Sequence, residues 1–260
     1  MASKGFSGAL ILLVTAVAAL SACAPAAADA DHLTWGPEAH PGVMALPRLT
    51  GEGAEGLNRL FDGVDAAAEQ TRTDCLSAEN DNAGYERFLW ADFTGPRFLS
   101  ITVNESYYCG GAHPSIDIRR MTFDRRTGGL PDWRTLWPGA GITVSTEGYG
   151  NLPAVTSAPA LTGWFRAAVR ADPASDAEWL AQCDAYYGDD PVDEPVTVWL
   201  DAKTGGVGLD WAFLPHVAMA CGSPQIMPVD EAARLGASGE LVEALRQGHA
   251  ARAFHDPAAE

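Results

Sequence analysis

The stretch "YYCGGAHPS", Tyr107–Ser115, contains residue types that can do chemistry. His113 is a candidate general base, Ser115 lies two residues away as a candidate nucleophile, and Asp117 or Asp124 could orient the imidazole. The chain has no G-x-S-x-G motif, and side chains this close along a strand seldom meet as a catalytic triad requires. We therefore favour the hypothesis that the protein is not an enzyme. The alternative hypothesis is an envelope hydrolase that acts on cell-wall material with His113.

The same stretch is typical of a turn that is held in shape. Gly110 and Gly111 tolerate positive backbone angles at little cost, and Pro114 restricts His113 to an extended conformation. We expect the imidazole of His113 to hydrogen-bond the turn in which it lies. A ligand-binding role for His113 is the second interpretation.

A second candidate site is the acidic stretch "CDAYYGDDPVDEP", Cys183–Pro195. Tyrosines are frequent interface anchors, and clustered carboxylates attract cations, so Tyr186, Tyr187, Asp189 and Asp190 are predicted to form a docking patch for an arginine-rich partner. Alternatively, both tyrosines pack on a sheet. The spacing of the acids does not match a calcium-binding EF-hand, and no metal ion or other cofactor is predicted.

These residues must be positioned by strands and helices. Alternating apolar and polar residues in "YERFLWADFTG" and "RFLSITVNESYY" predict a hairpin, and "IDIRRMTFD" continues it with a change of phase that predicts a bulge near Arg119–Arg120. Helical spacing of apolar residues follows in several segments. The fold class is α+β, an antiparallel sheet with helices packed on one face and stabilised by disulfides, in a single domain over residues 42–260.

The first 22 residues are typical of an export signal, with an apolar run too short to anchor the chain. The run ends in "LSAC", which resembles the bacterial lipobox and predicts lipid attachment to Cys23. Ordinary cleavage near Ala28 or Ala30 is the alternative. Residues 23–41 are rich in Ala, Pro and Gly and are predicted to be a flexible tether. The expected location is the bacterial envelope, lipid-anchored and facing the periplasm, at the outer membrane in preference to the inner.

Apart from Cys23, the chain has four cysteines, and the predicted export would place them in an oxidising compartment. An even number predicts two disulfides with three possible connectivities, and no C-x-x-C spacing suggests zinc. The nearest-neighbour connectivity keeps each bridge within one half of the chain. The four are Cys75, Cys109, Cys183 and Cys221.

The net charge of the chain limits the classes of partner that it can bind. The formal net charge is −17 over 260 residues, which excludes nucleic acid as a natural ligand and favours cationic partners. Solubility alone would also explain a high net charge.

Three motifs resemble a known family. They are "GGAH" (Gly110–His113) after an aromatic strand, the turn formed by Asp124, Thr127 and Gly128, and a late "VAMACGSPQIMPVDEAARL". Together they resemble, over about residues 85–235, the extracytoplasmic domains of unknown function of the RsiV/PdaC type, which include the outer domain of a lysozyme-sensing anti-sigma factor. The resemblance implies an α+β domain that binds at the cell surface, in one member to a cationic muramidase.

The predicted function combines these features. We expect a membrane-anchored, non-enzymatic binding domain that recognises a cationic protein such as a lysozyme-like muramidase, or peptidoglycan or another cell-wall component. The resemblance carries over no binding residue.

Overall fold

A computed structural model provides the fold, with one compact unit that spans Asp31–Glu260. Among the predicted site residues, Cys23, Asp189 and Asp190 lie outside the described residues, and Tyr186 and Tyr187 are described only as backbone positions of a helix. The structure describes residues 33–77, 81–110, 112–144, 155–156, 158–172, 176–187, 195–212, 221 and 223–255.

The first sheet has three antiparallel strands in the order β3-β4-β5. They are β3 (Gly84–Thr94), β4 (Phe98–Tyr108) and β5 (Ser115–Asp124). Successive side chains of a strand point to opposite faces of the sheet, so each of these long strands contributes one row of side chains to each face. A β-bulge interrupts β3 between Ala91 and Phe93, where the register with β4 shifts.

Helix α1 (Ala54–Leu76) covers one face of this sheet. Its apolar residues recur at helical spacing, and Phe61 packs edge-on against Phe123 of β5 with ring centroids 5.0 Å apart. Burial of these side chains supplies the main stabilisation of the layer. This first core includes Leu57, Phe61, Val64, Leu89, Ala91, Leu99, Ile101, Val103, Met121 and Phe123.

A second antiparallel sheet crosses part of the other face. It has the order β10-β9-β8, with β8 (Val196–Asp201), β9 (Gly206–Trp211) and β10 (Gln225–Pro228). The crossing is fixed by hydrogen bonds from β8 to the first sheet. The hydroxyl of Thr122 donates to the carbonyl of Val198 (3.3 Å), and the amide of Leu200 donates to the Ser100 hydroxyl (3.0 Å). The chain just after β8 then reaches β3, where the amide of Ala202 donates to the carbonyl of Asp92 (2.9 Å).

Most of the remaining elements surround the second sheet and build a second core, which includes Trp137, Phe165, Leu200, Leu209 and Met227. The pair at residues 33–34 and 48–49 packs against α1 instead, with Leu33 and Leu49 at the first core. Two short pairs are β1 (Leu33–Thr34) with β2 (Arg48–Leu49), and β6 (Thr143–Val144) with β7 (Val155–Thr156). The helices are α2 (Trp133–Leu136), a 3-10 turn (Pro138–Ala140), α3 (Pro159–Ala171), α4 (Ala177–Tyr187), α5 (Val229–Arg234) and α6 (Gly239–Ala250).

The cysteines form two disulfides, Cys75–Cys109 and Cys183–Cys221, with Cα atoms 4.5 and 5.6 Å apart. This is the nearest-neighbour connectivity among the three that the sequence allows. The first bridge joins the end of α1 to the residue after β4. The second joins α4 to the segment that precedes β10.

The predicted fold class is confirmed: antiparallel strands and helices form an α+β fold with two disulfides. The described strands form two three-stranded sheets and two short pairs, whereas the sequence predicted a single antiparallel sheet. The bulge predicted near Arg119–Arg120 is wrong, because β5 keeps one register with β4 from Phe98–Asp124 to Tyr107–Ser115. Within the described part of the chain, no helix is long and apolar enough to cross a membrane.

Candidate functional site

The candidate site lies at one end of the first sheet, which we call the distal end: residues 65–76 of α1, 81–88 entering β3, 104–110 ending β4 and 112–119 entering β5. The Cys75–Cys109 disulfide ties the helix to the sheet here. Because this end lies beyond the crossing of β8, its side chains on the face opposite α1 are not under the second sheet.

Three large apolar side chains are exposed on that face. Phe88 is 48% exposed, Ile116 54% and Ile118 43%. Phe88 and Ile118 lie on either side of Asn104 in one row of the sheet, and Ile116 lies beside Ser106 in the next row. These positions, together with Glu86, define what we call the open face.

The sequence contained a signal for this face, which we interpreted incorrectly. The change of phase between Ile118 and Met121 suggested a bulge that would keep both residues on the buried side. In the structure the strand is regular: Met121 and Phe123 point to α1, whereas Ile116 and Ile118 point to the open face. A change of phase in a strand therefore also indicates that the buried face switches along its length.

A buried ionic network supports the opposite side of the distal end. The guanidinium of Arg87 donates to Asp65 (2.7 Å) and lies 3.2 Å from the carboxylate of Glu105. Glu105 also accepts from the Tyr85 hydroxyl (2.7 Å) and pairs with Arg119. Charges this deeply buried must be paired, so the network fixes the spacing of the three strands and of α1.

Burial and neighbouring charges change the pKa values in this network. Burial raises the pKa of the Tyr85 phenol, and its hydrogen bond to Glu105 raises it further. Burial also raises the pKa of Asp117, although Arg119 opposes this effect. On the surface of α1, the hydrogen bond from Arg72 lowers the pKa of Glu69 to about 2.

The distal end carries an excess of negative charge. Each of its guanidinium groups is already paired with a carboxylate of the chain: Arg72 with Glu69, Arg87 with Asp65 and Glu105, Arg119 with Glu105 and Asp117. Seven carboxylates therefore share these three guanidinium groups and the side chains of Arg48 (3.6 Å from Asp65) and His40 (3.1 Å from Glu69), which still leaves negative charge for a partner to neutralise. The acids are Asp65, Glu69, Asp74, Asp81, Glu86, Glu105 and Asp117.

His113 lies at the rim of the distal end. Its side chain is exposed, and its Nδ1 donates to the carbonyl of Pro114 at 3.0 Å, as expected for an imidazole that bonds its own turn. Gly110 has a φ of 94°, the positive angle for which glycine is required at the end of β4. Asp124, the farther of the two candidate partners, lies at the opposite end of β5 and is bound to Arg97 (2.7 Å).

Most of the second candidate site of the sequence lies outside the described residues. Cys183 is buried and bridged, whereas the acidic residues that follow α4 lie outside the described residues. Among the residues that the structure describes, no group of three or more His, Cys, Asp or Glu could hold a metal ion. The open face of Phe88, Ile116 and Ile118 was missed by the sequence analysis.

Comparisons with known proteins complete the description. No family model matches the chain, and no curated protein matches it. Among solved structures, the chain is similar to the crystal structure of a DUF3298 family protein from Pseudomonas aeruginosa PAO1, with 15% identity and a TM-score of 0.40 over 81% of this chain and 92% of that chain. The relation to the RsiV/PdaC type stays a prediction.

Proposed function

We propose that the protein is a non-enzymatic binding domain, held at an envelope membrane by a lipid on Cys23, which recognises a cationic protein of the lysozyme-like muramidase class. The observation that carries this proposal is the open face, where Phe88, Ile116 and Ile118 are exposed on one face of the sheet, with Asn104 between Phe88 and Ile118.

Exposed apolar side chains in a cluster favour a protein partner. Single exposed apolar residues are normal in soluble proteins, but neighbouring ones mark interaction sites. Adjacent strands are about 4.8 Å apart, so the row Phe88–Asn104–Ile118 presents a continuous surface about 10 Å wide. The rigid sheet and the ionic network beneath it keep this surface preorganised, which reduces the entropy lost on binding.

The charge of the distal end favours a cationic partner. Its three guanidinium groups are occupied within the chain, whereas Asp74, Asp81 and Glu86 form no ion pair with any residue in the described ranges. The whole chain has a formal charge of −17, so it attracts basic proteins over long distances at low ionic strength. Apolar anchors surrounded by complementary charge are typical of specific interfaces.

Calorimetry with hen lysozyme as the cationic probe tests the proposal. We expect binding at roughly 50 mM salt that weakens at high salt, because the attraction is screened over about one Debye length. Phe88→Ala should weaken binding by about tenfold or more, as expected of a central anchor. The matched control is Trp179→Ala, which removes an equally exposed aromatic side chain (42%) from α4 and should leave the affinity unchanged.

Two results would contradict the proposal. One is the absence of measurable heat with lysozyme at low salt. The other is an equal loss of affinity in Phe88→Ala and Trp179→Ala, which would show that the open face is not the docking surface.

A further inference from the structure

Strands β3 and β5 are the two edge strands of the first sheet, and they differ in what lies beside them. The β3 edge is occupied by other parts of the chain: the amide of Met44 donates to the carbonyl of Arg87 (3.0 Å), and Ala91 and His255 exchange backbone hydrogen bonds (2.9 Å each). In the part of the chain that the structure describes, no strand pairs with the outer edge of β5 between residues 115 and 123. A long edge strand of this kind is a template for another strand.

The backbone groups that face outwards can be identified by alternation. The amide of Asp124 points away from β4, because it donates to the carbonyl of Gly129 (2.8 Å), whereas the amide of Arg125 points inwards to the carbonyl of Arg97 (2.7 Å). In an antiparallel pair this direction alternates with every residue. Ile116, Ile118 and Arg120 therefore direct both their N–H and C=O groups outwards.

We propose that β5 pairs antiparallel with β5 of a second copy of this chain, with the two-fold axis at Ile118. In this register Ile118 faces Ile118 of the second copy, and each Ile116 faces an Arg120, so all three outward residues exchange about six backbone hydrogen bonds. On the α1 side, Asp117 lies opposite Arg119 of the second copy, and the reverse pair forms by symmetry. The charges of the edge thus become complementary instead of repulsive.

The neighbouring registers are less favourable. Shifting the axis to Arg120 places two arginines directly opposite each other, and like charges in this position are destabilising. Shifting it to Ile116 places Ile118 opposite Pro114, which has no N–H to donate. Shifting it to Asp117 or Arg119 keeps outward groups opposite outward groups, but it places two aspartates or two arginines directly opposite each other at the axis. Sliding one strand by a single residue pairs outward with inward groups and moves each side chain to the wrong face. Charge and hydrogen bonding therefore select one register.

This pairing would merge the two open faces. The Ile118 side chains of both copies would lie about 5.5 Å apart at their Cα atoms, and two three-stranded sheets would form one of six strands. The second copy thereby buries part of the edge that the isolated sheet exposes. It leaves Phe88 free, so the dimer and the cationic partner do not compete for the same anchor, and either proposal can fail without the other.

Sedimentation equilibrium of residues 31–260, the compact unit that holds both cores and both disulfides, tests the pairing. We expect a reversible dimer. Asp117→Arg should weaken it by about tenfold or more, because two attractive cross-strand pairs become repulsive. Glu86→Arg is the matched control: it changes the total charge by the same amount but lies on β3, and its dissociation constant should stay within about twofold.

A cysteine trap provides a second measurement that does not depend on the stability of the charge variants. Under mild oxidation Ile118→Cys should form a covalent dimer, since the Cα separation lies within the range of disulfides. Phe88→Cys, equally exposed on the same face but two strands away from the edge, should stay monomeric. A monomer at all concentrations, equal effects of Asp117→Arg and Glu86→Arg, or equal cross-linking of both cysteine variants would overturn the proposal.

Discussion

At the scale of single residues, Glu105 holds the distal end together. Its buried carboxylate accepts from Tyr85 and pairs with Arg87 and Arg119. Three side chains on the strands that flank β4 therefore depend on it. Such a network contributes little net stability compared with an apolar core, but removing one member leaves the remaining buried charges with fewer partners.

We predict that Glu105→Ala lowers the free energy of unfolding by about 3–5 kcal/mol, because Arg87 and Arg119 lose their shared partner in a buried site. Urea denaturation followed by circular dichroism measures this change. Glu86→Ala, an exposed carboxylate on β3, is the control and should stay within about 0.5 kcal/mol of the unmodified protein. Equal small effects of both substitutions would contradict the network.

Asp92 is a second residue whose surroundings have a measurable consequence. It lies at the β-bulge where the second sheet crosses, and its carboxylate accepts from Thr102 (2.5 Å) and Trp90 (2.9 Å). Burial raises the pKa of Asp92 to about 6, and the charge of Asp201 adds to this while Arg120 opposes it. Ionising Asp92 therefore costs more free energy in the folded protein than in the unfolded chain.

The sign of the pH dependence follows. An unfolded aspartate has a pKa near 3.9, so between about pH 4 and 6 the folded protein binds more protons, and the stabilisation that protonated Asp92 provides is lost as the pH rises. We predict that Asp92→Asn raises the free energy of unfolding by about 1–3 kcal/mol at about pH 7.5 and by almost nothing at about pH 4. Denaturation at both pH values measures this. A difference that does not depend on pH would show that the charge of Asp92 is not the cause.

At the scale of elements, the Cys75–Cys109 disulfide positions α1 against the sheet. It closes a segment with a sequence separation of 34 and joins the last turn of the helix to the residue after β4. We predict that Cys75→Ala with Cys109→Ala lowers the free energy of unfolding by about 3–4 kcal/mol, as the chain-entropy estimate gives for a loop of this length.

The other disulfide serves as the control for that experiment. Cys183→Ala with Cys221→Ala opens a segment with a similar separation of 38, so the loss of stability should be similar. Only the first pair should also weaken lysozyme binding, because only that bridge lies at the distal end. Equal loss of binding in both double variants would contradict the assignment of the site.

The elements also show how far the sequence could be interpreted. The alternation of Leu99, Ile101 and Val103 with Ser100, Thr102 and Asn104 predicted β4 and its faces correctly, because alternation is a local property of the chain. The exposure of Ile116 and Ile118 could not be predicted in this way. It depends on where β8, about 80 residues later, crosses the sheet, and no local pattern encodes that crossing.

At the scale of the whole molecule, the architecture leaves one sheet with two differently covered ends. At one end α1 and the second sheet enclose both faces, and the polar side chains of Ser100 and Thr122 are buried because they bond to β8. At the distal end α1 covers one face, and none of the described strands of the second sheet extends over the other. The same three strands therefore serve as a core element and as an exposed, rigid surface.

The most direct test of the central proposal is hydrogen exchange of the protein with and without lysozyme at low salt. The account predicts slower exchange on binding in the distal halves of β3, β4 and β5, around Phe88, Asn104 and Ile118, with α3 and α6 unchanged. Protection confined to the helices around the second sheet, with no change at the distal end, would contradict it.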